Sequence, residues 1–312
     1  MAEFISHHLF GQEILALMPK AAQNAAKTYK AAFNWGLQGP DPFFYHALAL
    51  GAPFKKYGNL MHSQKTDELF YAFSRAVNRL CNERQIIAQA YFYGFLCHYS
   101  LDSNIHPYVY CRQLQWKEKM PNVHDSSIHC RIENDIDHEL YIAKFKKPVT
   151  HFNIDEQYKL SEEEIAVISV LLHYVLKSVY NVNIQTQKIR MSFDEMRSII
   201  KVLYSKNQTI CEGLRKLECV VGKGLFTGHF KTEKPNWDCL NLKHSPWFNA
   251  WQPNTLKTES VPEIFEIASK QAANLALQYS SELDAGWMLL HHFDVPFDNG
   301  NPKNRAFKQL KL

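Results

Sequence analysis

The sequence predicts an all-α fold, a multi-helix bundle, and three observations support that prediction. Apolar residues recur at helical spacing along most of the 312 residues, and no run of alternating β-branched residues suggests a sheet. In two segments, 91–107 and 128–140, His and carboxylate residues recur every four positions. No change in composition divides the chain, so we expect one domain over 1–312. Its metal-site helices would lie within 1–145, and helices in 160–285 would complete the bundle.

The segment 91–107, YFYGFLCHYSLDSNIHP, carries His98, Asp102 and His106 inside an otherwise apolar or aromatic run. Residues four apart on a helix differ by only about 40° around its axis, so these three side chains project from one face. A buried polar group without a partner costs about 1–3 kcal/mol, so three of them in register need a common explanation.

The segment 128–140, IHCRIENDIDHEL, repeats the pattern with His129, Glu133 and Asp137. Two helices that each present imidazole and carboxylate groups can enclose a metal cluster without any loop ligand. The alternative is a set of ordinary core polar residues, each with its own hydrogen-bond partner. The repetition of the spacing favours a metal site.

The N-terminal half is predicted to contain four helices. Apolar spacing predicts the first over 12–35, kinked near Pro19, with Ser6 as a candidate N-cap before it. Apolar spacing and polar or breaker-rich connections give the remaining assignments. These are a loop over 36–46, an irregular segment over 47–64, helices over 66–82, 84–105 and 126–143, and a polar loop over 112–127.

The C-terminal half is predicted to contain four more helical stretches. Ser161 with Glu164 forms a capping-box pattern that opens a helix to about 180, and Ser192 with Glu195 does the same for 193–205. The remaining assignments are a helical stretch over 206–221, a turn over 222–230, an ordered loop over 235–256, a helix over 261–283 and a frayed tail after Asp294.

Composition excludes several classes of protein. The net charge of +4 and the lack of a long basic run argue against a dedicated nucleic-acid surface. Seven scattered Cys without a CxxC pattern indicate reduced thiols rather than a disulfide framework. The start MAEFISHHLFGQE does not look like a secretory signal, and no stretch of about eighteen apolar residues predicts a transmembrane helix. We therefore expect a cytoplasmic protein.

Five short motifs occur in a characteristic order between residues 6 and 133: SHHLFG, GPDPF, MH, HxxxD followed by His106, and HxxxE. Through these motifs the chain resembles the bacterial zinc-dependent phospholipase C family. That family is related to fungal single-strand-specific nucleases and to the catalytic domain of glycosylphosphatidylinositol-specific phospholipase D. The resemblance implies an α-helical bundle with three zinc ions at the bottom of a cleft.

By position, the resemblance implies that His62, His98 and Asp102 hold one zinc ion. Asp102 would also bridge to a second ion bound by His7. Secreted members of the family complete this second site with an N-terminal tryptophan, whereas here six residues precede His7. We therefore expect two or three zinc ions per chain.

The resemblance further implies that His106, His129 and Glu133 hold the remaining ion, and that Asp41 matches a carboxylate proposed as general base. The alternative for Asp41, between two prolines, is an ordinary turn residue. Asp137 is a candidate partner for a ligand His.

The resemblance implies a zinc-dependent phosphodiesterase that acts on a phospholipid head group or a related phosphodiester. Two metals about 3.5–4 Å apart can clamp a phosphate, with Asp102 as the natural bridge. A single-strand nuclease is an alternative, although the basic approach that it needs is not evident and a nucleic acid is the less favoured partner. A non-catalytic metal-binding helical protein is a third interpretation.

Overall fold

Helices make up most of the structure, and the prediction of an all-α bundle is confirmed. The computed structural model describes residues 4–47, 50–204, 235–285, 293 and 295–297. Besides the helices, the described residues contain short 3-10 turns and one two-stranded antiparallel sheet. None of the described helices offers an apolar stretch long enough to cross a bilayer.

The elements follow one another along the chain with short connections. The helices are α1 (Phe4–Ile14), α2 (Lys20–Thr28), α3 (Lys30–Gly36), α4 (Pro42–Tyr45), α5 (Lys55–Ser63), α6 (Thr66–Asn78), α7 (Asn82–Lys119), α8 (Asp125–Phe145), α9 (Ile154–Tyr158), α10 (Glu162–Tyr180), α11 (Thr186–Leu203) and α12 (Val261–Ala285). The strands are β1 (Trp247–Asn249) and β2 (Gln252–Lys257).

Helix α7 lies at the centre of the bundle and contacts α1, α2, α3, α6, α8, α10, α12 and β1. Its 38 residues span about 57 Å. The sequence predicted an end near residue 105 and a loop over 112–127, and both predictions were wrong because the helix continues through Pro107. Proline removes one helical hydrogen bond. The buried side chains of Ile105, Tyr108 and Val109 on either side keep the segment packed as helix.

Helices α3 and α7 touch through their backbones. A Cβ atom at Gly36 would lie 2.1 Å from the Tyr91 carbonyl oxygen, and one at Gly94 would lie 2.2 Å from the Phe33 carbonyl oxygen. Only glycine at both positions allows this approach, since real Cβ atoms keep larger distances from backbone oxygens. The crossing fixes α7 one turn before His98, and therefore positions the metal-site stripe.

Three N-terminal predictions need correction. Helical structure extends back to Phe4, so Ser6 lies inside α1 and is not an N-cap. This helix is buried on almost every side and therefore lacks the amphipathic pattern on which the prediction depended. The predicted single helix over 12–35 is divided, because α2 begins only at Lys20, which places a break near Pro19 as expected, and α3 begins separately at Lys30. The segment 47–64 is not irregular throughout, since α5 covers Lys55–Ser63.

In the C-terminal half, the Ser161 capping box is present at the start of α10. The second capping box is wrong, because α11 begins at Thr186 and Ser192 is buried inside it. Glu195 instead accepts hydrogen bonds from His46 and the Ala47 amide. The predicted loop over 235–256 contains β1 and nearly all of β2.

The helical stretch 206–221, the turn 222–230 and nearly all of the tail after Asp294 lie outside the described residues. The single domain over 1–312 stays a prediction.

We predict that Gly94→Ala destabilises the protein by about 1–3 kcal/mol or more, because the new methyl group overlaps the Phe33 carbonyl and forces α3 away from α7. Urea unfolding followed by circular dichroism measures the change. The matched control is Gln85→Ala on the same helix, where the side chain is half-buried, and its effect should stay within about 0.5 kcal/mol. Equal stability of the two variants would contradict the close crossing.

Candidate metal centre

The structure brings all eight predicted site residues into one connected cluster. They come from α1, the turn before α4, α5, α7 and α8: His7, Asp41, His62, His98, Asp102, His106, His129 and Glu133. The His129 side chain is 12% exposed, whereas the other seven are at most 6% exposed. The cluster is therefore closed to solvent except at its His129 edge.

Asp102 is the common partner within this cluster. One carboxylate oxygen lies 3.0 Å from His7 Nε2, and the other lies 3.0 Å from His98 Nε2 and 3.6 Å from His62 Nε2. His106 Nδ1 is 3.8 Å from the first oxygen. Burial by itself raises the pKa of the Asp102 carboxyl, but the neighbouring histidines lower it further, so that the net pKa lies well below its usual value. Asp102 is therefore an ionised carboxylate that uses both oxygens.

Three groups of donors within the cluster have the spacing of metal ligands. They are His7, His98 and Asp102; Asp41, His62 and His98; and His106, His129 and Glu133. Within each group, one ligand atom per residue lies within 4.8 Å of the others. Zinc binds such atoms at about 2.0–2.2 Å, so ligands of one ion lie roughly 3–4 Å apart. The donor types and spacing therefore fit zinc.

The orientations of His62 and His98 support a cation between them. His62 Nδ1 donates to the Gly58 carbonyl at 2.8 Å, and His98 Nδ1 donates to the Leu37 carbonyl at 3.1 Å. Each imidazole therefore turns its Nε2 inward, and the two Nε2 atoms face each other at 3.4 Å. Two lone pairs at this distance repel unless a proton or a metal cation is bound. Burial lowers the pKa of His98 despite Asp102, which favours the neutral, metal-binding form.

His106 and His129 are oriented in the same way. His106 Nδ1 donates to the Phe297 carbonyl at 2.9 Å, and His129 Nδ1 faces the Gln113 side-chain oxygen at 2.8 Å. Their Nε2 atoms lie 3.5 and 2.9 Å from one oxygen of Glu133. Burial raises the pKa of Glu133, but His129 and the hydrogen bonds from both histidines help to lower it well below its usual value. These side chains therefore present two imidazoles and one carboxylate.

His7 is held in place through the N-terminus of its helix. Asp137 on α8 accepts hydrogen bonds from the Ile5 amide at 3.0 Å, the Ser6 amide at 2.8 Å and the Ser6 hydroxyl. The His7 ring stacks on His98 with centroids 4.2 Å apart. Its Nδ1 is buried and has no hydrogen-bond partner among the described residues. We predicted Asp137 as a partner for a ligand His. In the structure it contacts the backbone of α1 beside His7.

Two features were not evident from the sequence. Asp41 lies 3.3 Å from His62 Nε2 and belongs to a donor group, whereas the resemblance assigned it only as a base. Gln113 contacts His129 from 16 positions away, with no spacing signal to indicate it. Two nearby histidines lie outside the three groups, since His8 contacts the Tyr158 hydroxyl and His46 contacts Glu195.

An α-helical bundle that buries three neighbouring groups of imidazole and carboxylate donors has the arrangement expected of a metal-binding protein. A family model described as zinc dependent phospholipase C matches residues 6–205, which include all eight site residues. The chain therefore belongs to the zinc-dependent phospholipase C family, and the resemblance is confirmed. No curated protein and no solved structure matches the chain. Membership supports hydrolysis of phosphoric esters and a lipid or other phosphodiester substrate.

We predict that His98→Gln lowers the zinc content by at least one ion per chain, because His98 belongs to two of the donor groups. Elemental mass spectrometry on protein purified without added metal or chelator measures the content. His151→Gln is the matched control, because this exposed His lies outside the donor groups. A zinc content that is the same in both variants would contradict the assignment of His98.

We expect Asp137→Asn to destabilise the protein by about 1–3 kcal/mol, because an amide cannot accept from all three donors on α1. Urea unfolding measures stability, and chelator competition measures zinc affinity, which should fall for one ion as α1 loosens. Asp194→Asn, at an exposed site on α11, should change neither. Unchanged zinc affinity in Asp137→Asn would show that this contact does not position His7.

Proposed function

We propose that this protein is a zinc-dependent phosphodiesterase that hydrolyses a phospholipid head group or a related phosphodiester in the manner of a phospholipase C. The observation that carries the proposal is the position of the Asp102 carboxylate, because one of its oxygens faces His7 and the other faces His98 and His62. The third donor group adjoins it through His106. Adjacent metals can bind one phosphate together. Membership of the family supports the same reaction class.

Zinc ions held by these groups supply positive charge that polarises the phosphoryl group and stabilises the charge that develops on its oxygens. The chain's own contribution is to hold its donors in fixed orientations. Carbonyls of Leu37, Gly58 and Phe297 each fix one imidazole. Rotation of these rings would break a buried hydrogen bond, so the donor geometry is set before substrate binds.

Asp41 is the proposed general base. Burial raises the pKa of its carboxyl, but the hydrogen bond with His62 and the charges of His98 and His62 lower it further, so the group is ionised. Its backbone is held by two turn hydrogen bonds, from the Asp41 amide to the Gln38 carbonyl and from the Phe44 amide to the Asp41 carbonyl. A fixed, ionised carboxylate beside the donors can orient the attacking water and accept its proton.

The substrate would enter beside His129, where a cavity of about 250 Å³ adjoins the cluster. Ligand pockets for drug-sized molecules usually measure about 300–1,000 Å³, so this cavity suits a head group rather than a complete diacyl lipid. We propose that the head group binds in the cavity while the acyl chains remain outside it.

A single-strand nuclease is the second candidate, and the aromatic residues beside His129 favour it. The Tyr110 ring lies 4.9 Å from the His129 ring, and Trp251 packs edge-on against Tyr110. Half-exposed aromatic rings next to metal donors are suitable platforms for stacked bases. Single-stranded DNA therefore belongs among the substrates in the experiment.

The test is Asp41→Asn, assayed on bis(4-nitrophenyl) phosphate, micelles of mixed phospholipids and single-stranded DNA. Loss of a general base should lower kcat by about 10²–10⁴ on the preferred substrate while zinc content stays constant. A simultaneous loss of one zinc ion would identify Asp41 as a ligand instead. Asp155→Asn, at a surface ion pair, is the control. An unchanged kcat in Asp41→Asn would show that Asp41 is an ordinary turn residue.

The same experiment tests the function itself. Hydrolysis of the lipid substrate in preference to DNA supports the phospholipase C type, and the reverse preference supports the nuclease. Wild-type protein that contains its full complement of zinc and hydrolyses none of the three substrates would overturn the proposal and favour a non-catalytic metal-binding protein.

A further inference from the structure

One face of helix α5 connects the cavity to the metal cluster. Lys55, Asn59 and His62 follow at spacings of four and three, which places them on the same side of the helix. His62 belongs to a donor group, while Lys55 and Asn59 line the cavity beside His129. A substrate bound in this cavity would therefore lie between the metal donors and the Lys55 ammonium group.

One lysine, Lys55, and one aspartate, Asp125, line this cavity. The Asp125 carboxylate is paired with Lys117 at 2.9 Å. Lys55 is exposed, and within the described part of the chain no carboxylate forms an ion pair with it. The other polar lining groups include the Asn59 and Gln113 amides. Lys55 is therefore a cation of the cavity lining that lies outside the ion pairs among the described residues.

A cationic head group, such as a quaternary ammonium, fits this cavity poorly. Such cations bind to the open faces of aromatic rings. Phe44 is buried against His62 and Gly58, and Tyr110 is a half-exposed ring packed against His129 and Trp251, so the lining lacks the several open aromatic faces of a cation-binding cage. Lys55 would in addition repel a cation. The lining instead favours an anion, because an ammonium group and amides donate hydrogen bonds to phosphate oxygens.

We propose that Lys55 and Asn59 bind a second phosphate on the substrate's head group, so that the enzyme selects phosphorylated, anionic head groups over choline-like ones. This inference rests on the proposed function, because it places the scissile phosphodiester at the metal donors. Lys55 contacts the additional phosphate as a specificity-determining residue and takes no part in proton transfer. The chemical class is thus a phosphodiester of a phosphorylated polyol, either lipid-linked or free.

The first experiment measures binding, independently of turnover. Zinc-loaded protein is titrated by calorimetry with inositol 1,4-bisphosphate, inositol 1-phosphate and phosphocholine. We expect the bisphosphate to bind at least tenfold more tightly than phosphocholine, and its affinity to fall as salt increases. Equal or tighter binding of phosphocholine, or no binding of the bisphosphate, would overturn the proposal.

The second experiment compares Lys55→Glu with Lys56→Glu. The two lysines are exposed neighbours on α5, but Lys56 packs beside Tyr57 and does not line the cavity. We expect Lys55→Glu to weaken bisphosphate binding at least tenfold and to raise KM for phosphatidylinositol 4-phosphate with little change in kcat. Lys56→Glu should change neither. Equal effects of the two substitutions would contradict the proposal, because Lys55 would then act only through the general charge of the surface.

Comparison of phosphatidylinositol 4-phosphate in micelles with its deacylated soluble counterpart identifies the source of the head group. A higher kcat/KM for the micellar substrate points to a lipid, and equal values point to a free phosphodiester. The Asp41→Asn experiment remains separate, because the hydrolysis of bis(4-nitrophenyl) phosphate does not require a second phosphate. Activity on that ester with no preference for the bisphosphate would reject this inference and leave the proposed function standing.

Discussion

The buried negative charge of Asp102 is the constraint on which the arrangement of the site depends. A carboxylate without solvent must be balanced by cations or hydrogen-bond donors, and Asp102 lies against imidazoles from α1, α5 and its own helix α7. Its two oxygens face different partners, which allows one side chain to join neighbouring donor groups. The helices that supply these partners therefore have to meet at this point.

The donors are oriented by backbone groups that belong to the fold itself. The Leu37 carbonyl at the end of α3 holds His98, and the Gly58 carbonyl holds His62 one turn away on α5. The close crossing at Gly36 and Gly94 sets the distance between α3 and α7. The packing of the bundle therefore also fixes the geometry of the donors. Loss of the crossing would turn the imidazoles as well as loosen the core.

In the proposed function, the chemistry and the substrate selectivity depend on different parts of this molecule. The donor cluster is closed to solvent apart from the His129 edge, so metal ions held there would act in the same way on any phosphoryl group that reaches them. The residues that differ in charge and polarity line the cavity outside that edge, with Lys55 and Asn59 on the helix that also carries His62. Substitutions in the cavity can therefore change the preferred substrate while the donors remain in place.

Sequence patterns predicted the helical class and the donors on α7 and α8, because a four-residue spacing places side chains on one face whatever surrounds them. The donors on α1 and α5 came from the family resemblance. The sequence did not reveal that α7 passes through Pro107 or that Ser192 lies inside α11, since buried packing outweighed these local signals. Only the tertiary structure brought Asp41 to His62 and Gln113 to His129. Contacts between separate elements depend on how the helices cross, and that geometry is not encoded in the spacing along any one of them.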